Sequence, residues 1–341
     1  MKKLAAIIAA VGLSLCSLTG CAQSGVKNSA QATAENPMIL TLAHGLSETH
    51  TVHIAMTEFA EKVKERTDGR IQLQIFPNGQ LGSENENMEQ LMSGVISMTK
   101  VSAPGLATYN ESYHAFGLPY IFDSTEDFYH VMDSSQMHDF FLSSGNDGFV
   151  TLTYYTSGAR SFYTKNKAIR KPEDLKGLKI RTMTNNLHVE YFTALGAIPT
   201  PMSFSELFTA LQQKTVDGQE NPTALIYNNA LYEAQKYMSV SEHVFTAVAL
   251  NIASDFYNSL PEDYQAAIKE AAENTMEYQR ELITEENESL LSEIEAAGVE
   301  VTVLTDEQKA AFQKVAEDTV YKTAAETYGQ ELIDMAANHN K

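Results

Sequence analysis

The sequence predicts an α/β protein built as two lobes around a cleft. Three observations carry this. Strand and helix patterns alternate through the first hundred residues of the folded part, a second β-α-β-α unit follows after residue 178, and a helical stripe of more than thirty residues comes late. No 20–50-residue repeat of the solenoid kind is present, so the two units are similar in size without being copies.

The chain opens with Lys2 and Lys3 and an almost unbroken apolar run from Leu4 to Leu15. That run falls short of the ~20 residues a membrane-spanning helix needs and has the charge and length of a secretory signal. Leu18-Thr19-Gly20-Cys21 has the form of a bacterial lipobox, which predicts cleavage before Cys21 and lipid on its sulfur. Residues 1–20 are therefore read as a signal peptide and residues 21–37, rich in Ser, Ala, Gln, Asn and Thr, as a lipidated Cys and flexible tether. The expected location is exported, anchored on the outer face of the cytoplasmic membrane or in the periplasm. The precursor's two Cys are then spent, one removed and one lipidated, leaving the mature domain without a thiol for a disulfide, metal site or nucleophile.

Ile39 and Leu42 mark a strand at residues 38–43. Val52, Ala55, Phe59 and Val63 give residues 48–66 helical spacing, stopped at Asp68-Gly69. Residues 70–76 alternate as a strand, Pro77-Asn78-Gly79 turns, residues 83–93 read as a helix, and residues 95–98 begin another strand. A helix is expected over 125–142 and a strand over 149–155. The second unit has a strand at 178–181, a helix at 186–195 and a helix opened by the Ser203-x-x-Glu206 capping box, before a turn into Gln219-Glu220-Asn221-Pro222. A strand at 243–253 returns to the first unit. The long helix covers about 261–297, Val299, Val301 and Val303 alternate, and a final helix is expected over 306–337. Residues 38–159 plus 249–341 are assigned to lobe I and residues 160–248 to lobe II, with ligand between them at the strand ends.

The formal net charge of −20 sets a low expectation for nucleic-acid binding. Gly-x-Ser-x-Gly, His-Glu-x-x-His, Walker and Gly-x-Gly-x-x-Gly signatures are missing from the sequence, so no enzyme and no cofactor is expected. His50 and His53 stand three apart on a predicted helix, but no third metal ligand is near in sequence; a surface or partly buried role fits them better. Arg160 and Arg181 lie at strand ends, where α/β proteins bind ligands, and Arg suits bidentate carboxylate recognition. On residue type alone, the commoner role for each is a surface or ion-pair arginine.

The run Asp174-Leu175-Lys176-Gly177-Leu178-Lys179-Ile180-Arg181, followed by Gly196-Ala197-Ile198-Pro199-Thr200-Pro201-Met202-Ser203-Phe204 and by Val216-Asp217-Gly218-Gln219-Glu220-Asn221-Pro222, resembles the extracytoplasmic solute receptors of TRAP (tripartite ATP-independent periplasmic) transporters, DctP type. Phe76-Pro77-Asn78-Gly79-Gln80-Leu81-Gly82, Leu118-Pro119-Tyr120 and Leu260-Pro261-Glu262 carry the resemblance to the rest of the chain from about Met38. It implies a two-lobed periplasmic-binding-protein fold that closes over a small organic acid and delivers it to membrane permease subunits driven by an ion gradient. It places a carboxylate clamp at Arg181, with Arg160, Asn221 and Phe204 beside it. The chain departs from the family pattern at Gly94-Val95-Ile96-Ser97-Met98, where relatives carry Asp at the position of Ser97. Lys100 and Ser102 follow on the same strand. His44, Glu84 and His188 complete the candidates, the first two for ligand hydroxyls. These polar first-lobe residues point to a sugar acid such as a hexuronate; a C4-dicarboxylate is the alternative ligand. A sensory receptor and a cleft lyase acting on an acid sugar are the alternative functions.

Overall fold

The computed structural model describes residues 32–330 and 333–334. The signal peptide, Cys21 and the tether through residue 31 lie outside the described residues. The expected tether's last residues do not stay free: Thr33 and Asn36 pair across a turn, and Ala32 packs on the core beside them.

The elements run β1 (Met38–Ala43), α1 (Thr51–Arg66), β2 (Ile71–Phe76), α2 (Glu84–Met92), β3 (Met98–Ser102), α3 (Thr125–Met132), α4 (Ser135–Ser143), β4 (Phe149–Thr164), β5 (Lys179–Thr182), α5 (Asn186–Ala194), β6 (Ile198–Pro201), α6 (Phe204–Gln212), β7 (Gly218–Pro222), α7 (Thr223–Asn228), β8 (Tyr237–Ala253), α8 (Ser254–Ser259), α9 (Glu262–Ala296), β9 (Glu300–Val303), α10 (Asp306–Asp318) and α11 (Val320–Tyr328). The strands form one nine-stranded sheet of order β2-β1-β3-β8-β4-β7-β5-β6, with β9 also on β8.

Two strands make that sheet a pair of lobes. β4 has 16 residues and β8 has 17, well beyond the expected 149–155 and 243–253. They run antiparallel along each other, and their outer edges pair with β3 at one end and β7 at the other. Polar residues hid this length from a reading of apolar runs, because Ser157-Gly158-Ala159-Arg160 interrupts β4. The register shifts there, between Thr156 and Ala159, and Gly158 takes φ 86°, a conformation that costs an L side chain strain. Gln279 of α9 clips the bulge from behind, donating to Thr156 O (2.8 Å) and accepting from Thr156 N (3.0 Å).

The long helix is present as expected. Its buried stripe, Tyr264, Ile268, Ala271, Ala272 and Thr275, continues through Gln279 and Ile283 to Leu290 and Ile294. The early part of that stripe packs in a core with Val52 and Phe59 of α1, the late part in a second core with Leu207 and Leu211 of α6. α9 thus spans both halves instead of belonging to lobe I. The segment after it also departs from the expected division, because β9 pairs with Tyr237–Val240 at the far end of β8. Residues 125–142 form two helices, since Ser124 and Ser134 each cap a new N-terminus, accepting from Asp127 N and Met137 N. The final helix also breaks, at Thr319, but without a side-chain cap: Thr319 leaves helical backbone (φ −127°, ψ −88°) and its hydroxyl donates back to Val315 O (2.6 Å).

Candidate functional site

β1 and β3 run toward the middle of the molecule from one end, and β5 and β7 from the other, so their C-terminal ends face one another. A cavity of ≈ 280 Å³ lies there, near the small end of small-molecule sites.

In the first half, strand alternation puts Lys100 and Ser102 on one face of β3. Glu84, in the first turn of α2, reaches both: Lys100 Nζ donates to Oε1 at 2.7 Å, Ser102 N to Oε2 at 3.1 Å and Ser102 Oγ to Oε1 at 3.2 Å. In the second half, Arg160 on β4 and Glu220 on β7 are diagonal neighbours across an antiparallel pair. Arg160 donates from Nε to Glu220 Oε2, and from Nη2 to Glu220 Oε1 (2.8 Å), Glu220 O (2.6 Å) and Asn221 Oδ1 (3.0 Å). The strands come this close because position 218 is glycine; a Cβ there would stand 2.5 Å from Tyr163 O. Glu220 is buried, and Arg160 and His243 hold its carboxyl far below the usual range against the opposing cost of burial. As a carboxylate only accepts, His243 Nε2 donates to it at 3.3 Å and Nδ1 accepts from Ser241 Oγ at 2.8 Å.

Arg181 is held differently. It is 3% exposed, and Nε and Nη2 donate to Met202 O at 3.1 and 2.8 Å. No carboxylate pairs with it among the described residues. Burial first, and the charge of Arg160 second, lower its pKa to about 10, so it stays charged at neutral pH under electrostatic stress. Arg160, Arg181 and Lys100 against Glu84 and Glu220 leave this cluster with a net charge of +1. Two helix N-termini also line the cavity, Gly82–Ser83 before α2 and Met202–Ser203 before α6, each with a capping carboxylate beside it that offsets its dipole. Each start carries the same device, a Ser whose backbone N–H donates to a Glu three residues on: Ser83 to Glu86 (2.7 Å), Ser203 to Glu206 (3.0 Å). The arrangement suits a bound anion, with Phe204, Phe208 and Leu231 as apolar wall.

Family comparison agrees with this geometry. The family model of the bacterial extracellular solute-binding proteins, family 7 (DctP), matches residues 42–327. The chain belongs to this family. The 2,3-diketo-L-gulonate-binding periplasmic protein YiaO of Escherichia coli is 29% identical over 273 residues, covering 80% of this chain and 83% of its own. The C4-dicarboxylate-binding periplasmic protein DctP of Rhodobacter capsulatus is 29% identical over 321 residues, 93% and 95% of the two chains. The crystal structure of the sugar acid binding protein DctPAm of Advenella mimigardefordensis with galactonate superposes with a TM-score of 0.84 at 29% identity, over 89% of this chain and 99% of that one. The protein is thus a TRAP-type extracytoplasmic solute receptor with the two-lobed fold of that family. None of the helices among its described residues is long and apolar enough to cross a membrane.

Seven candidates read from the sequence of this family 7 receptor line the cavity: Arg181, Arg160, Asn221, Phe204, Glu84, Lys100 and Ser102. His44 and His188 do not. His44 is fully buried behind the wall; Nδ1 accepts from Leu46 N (3.1 Å), so Nε2 carries the proton and donates to His53 Nδ1 (3.0 Å). Burial, then Lys100, lowers its pKa to about 2. His188 is buried beside the Arg160–Glu220 pair, with Nδ1 4.0 Å from Glu220 and neither ring nitrogen hydrogen-bonded; burial lowers its pKa to about 4. Both are neutral at neutral pH, and both point into packing because strand ends and helix starts near a cleft, after β1 for His44 and in the first turn of α5 for His188, carry inward-facing residues as well as lining ones. The sequence reading missed Glu220 as Arg160's partner, although it stands in the quoted Gln-Glu-Asn-Pro run; nothing local distinguishes it from other acids. It also missed Asn78, Asn85, Thr184 and Asn229, which line the cavity from loops and helix ends.

Proposed function

We propose that this receptor binds the monoanion of a hydroxylated organic acid, best represented by a six-carbon sugar acid, and closes over it before handing it to an ion-gradient-driven TRAP permease. The observation that carries this reading is the buried Arg181 guanidinium at the cavity wall, which has a backbone carbonyl but no carboxylate for company. Its free edge suits a bidentate ligand carboxylate. Arg160 Nη1 and the second Nδ2 hydrogen of Asn221, whose first goes to Gln219 Oε1, are the further donors, with Phe204 as a packing face.

The charge balance supports a monoanion over a C4-dicarboxylate. One carboxylate neutralises the +1 cluster; a second would meet Glu84, whose only cation, Lys100, it already holds. The hydroxyl-binding groups, Ser83, Glu84, Asn85 and Ser102, cluster in the first half, opposite the arginines. A sugar acid bound by its carboxylate to one half and its hydroxyls to the other would favour the closed form, with the long strands β4 and β8 as the flexing connection. Solved relatives holding galactonate and β-D-galacturonate are consistent with the sugar-acid choice; a relative holding succinate marks the competing class. A lyase would need a carboxylate or histidine free to move protons. Glu84 and Glu220 are each tied to cations, which speaks against that reading. Export and anchoring through Cys21 complete the proposal on the strength of the Leu18–Cys21 segment.

The test is isothermal titration of the purified receptor with a panel of aldonates, hexuronates and C4-dicarboxylates. The reading expects heat and a single site with at least one sugar acid, and binding at least tenfold weaker for succinate. Tighter binding of succinate than of every sugar acid overturns the ligand choice; no binding of any carboxylate overturns the clamp.

A further inference from the structure

The charges on most of this molecule follow one rule, and one end of the sheet breaks it. Outside residues 160–240, every described Lys and Arg pairs with a carboxylate, from Lys62 with Glu58 to Lys322 with Asp318. Over residues 165–179 the pattern reverses. Lys165, Lys167, Arg170, Lys171, Lys176 and Lys179 are all exposed, and none pairs with a carboxylate among the described residues. The exposed Lys214 and Lys236 adjoin them, also unpaired.

The fold gathers these residues on one rim. β4 ends at Thr164, opposite Gly218 and Tyr237. Lys165 N donates to Asp217 O (3.2 Å), Asp217 N to Lys179 O (2.7 Å) and Lys236 N to Thr164 O (3.1 Å). Two of the acids here are otherwise engaged, since the Asp174 carboxylate accepts from Arg170 N and Lys171 N and that of Asp217 from Lys179 N; Glu173 is exposed among the lysines and subtracts one charge from the six cations of residues 165–179. Glu300 and Glu307 face Lys167, Arg170 and Lys171 across a shallow groove without pairing. This rim is the end of the sheet farthest from the start of β1, beyond the 16 residues of β4, which span about 50 Å.

We propose that this basic end is an electrostatic docking surface for an anionic lipid bilayer. The net charge of −20 does not forbid it, because charges more than about 8 Å away are largely screened at physiological salt. The composition decides between a lipid and a protein partner. Seven of the eight cations named are Lys, a residue depleted from protein interfaces, which instead draw on Arg and aromatic anchors. The large apolar side chain exposed at this rim is Ile198, opposite Lys179 on β6. Mobile ammonium groups around little apolar surface match a fluid layer of phosphate headgroups.

The test uses the full chain carrying C21A, so that no acyl group contributes, in cosedimentation with vesicles of phosphatidylcholine alone and of phosphatidylcholine mixed equally with phosphatidylglycerol. Binding is expected to the anionic vesicles only and is expected to vanish near 0.5 M NaCl, where screening is nearly complete. The triple variant K165E/K167E/K171E, or its neutral form with Gln at the three positions, should lower the partition at least tenfold while the melting temperature holds; K62E/K64E should not. Absence of binding to anionic vesicles, or equal loss with K62E/K64E, overturns the proposal. Binding to polyglutamate without binding to vesicles also overturns it and assigns the rim to an acidic protein segment. Solute affinity is measured alongside; its loss would strike the carboxylate clamp and leave this surface standing.

Discussion

Replacing Arg181 with Met separates a binding role from a structural one, because the two have opposite signs. Met keeps much of the side chain's length and removes the charge. In the unliganded protein the guanidinium is 3% exposed, and burial first and the charge of Arg160 second lower its pKa by two to three units, to about 10. A shift of that size corresponds to roughly 3 kcal/mol by which the native state resists the charge. Against it stand the two hydrogen bonds to Met202 O, worth about 1 kcal/mol each. The balance is a gain of about 1 kcal/mol for R181M without ligand, or about 2 °C in melting temperature for a chain of this size. Affinity moves the other way. A ligand carboxylate left without its buried cation costs about 2–5 kcal/mol, a loss of roughly 30- to several-thousand-fold in Kd. Differential scanning fluorimetry without ligand, paired with titration calorimetry, reads both. If the unliganded melting temperature falls by more than about 4 °C while Kd changes less than threefold, Arg181 is a structural residue and the clamp argument fails.

Other perturbations test the rest of the site. E84Q removes one of the two carboxylates and raises the cluster's net charge to +2, so the ratio of succinate to sugar-acid affinity should rise about tenfold, from Coulomb attraction of the order of 1–2 kcal/mol; an unchanged ratio in competition titrations refutes the charge balance. E220Q leaves Arg160 buried without its counter-ion and should cost about 3–5 kcal/mol of stability, visible as a lower denaturant midpoint; an unchanged midpoint would mean that Arg160 needs no partner. Acid should destabilise the fold through its buried histidines. His188 holds a folded pKa of about 4 and His50 about 3, each from burial, whereas the unfolded side chains titrate near 6.5. Below that value the unfolded chain takes up protons that the native state refuses. Stability is therefore full above pH 6.5 and falls as pH drops toward 4, by up to about 1.4 kcal/mol per pH unit for each histidine. H188Q should flatten the fall in melting temperature between pH 7 and 5 by one histidine's share; a wild-type profile flat over that range contradicts the argument.

Much of this architecture can be read from neighbours in sequence, because it arises from neighbours in sequence. The β-α alternation of residues 38–98, the stripe along α9, the Ser203–Glu206 cap and the placing of Arg181 on a strand next to a helix start are all local patterns of period, propensity and capping. Arg181 and Glu84 stand at a strand end and a helix start, where ligands bind in an α/β sheet, whereas the carboxylate role of Arg181 and the candidacy of Asn221 came from the family resemblance and not from local pattern. What remained hidden depends on partners distant in the chain. β4 and β8 extend through polar residues because each supplies the other's hydrogen bonds across 73 to 104 positions, from Thr164 with Tyr237 to Phe149 with Ala253, and an apolar-run reading stops where the polar residues begin. Glu220 differs from the other acids only in facing Arg160 sixty residues away. His44 and His188 turn into packing, a matter of which side of a wall a ring occupies. The sequence alone determined the elements and most of the chemistry brought to the cleft. The tertiary structure decided which charges neutralise one another there and which guanidinium is left without a counter-charge, since Coulomb and burial energies depend on distance in space and not on separation along the chain.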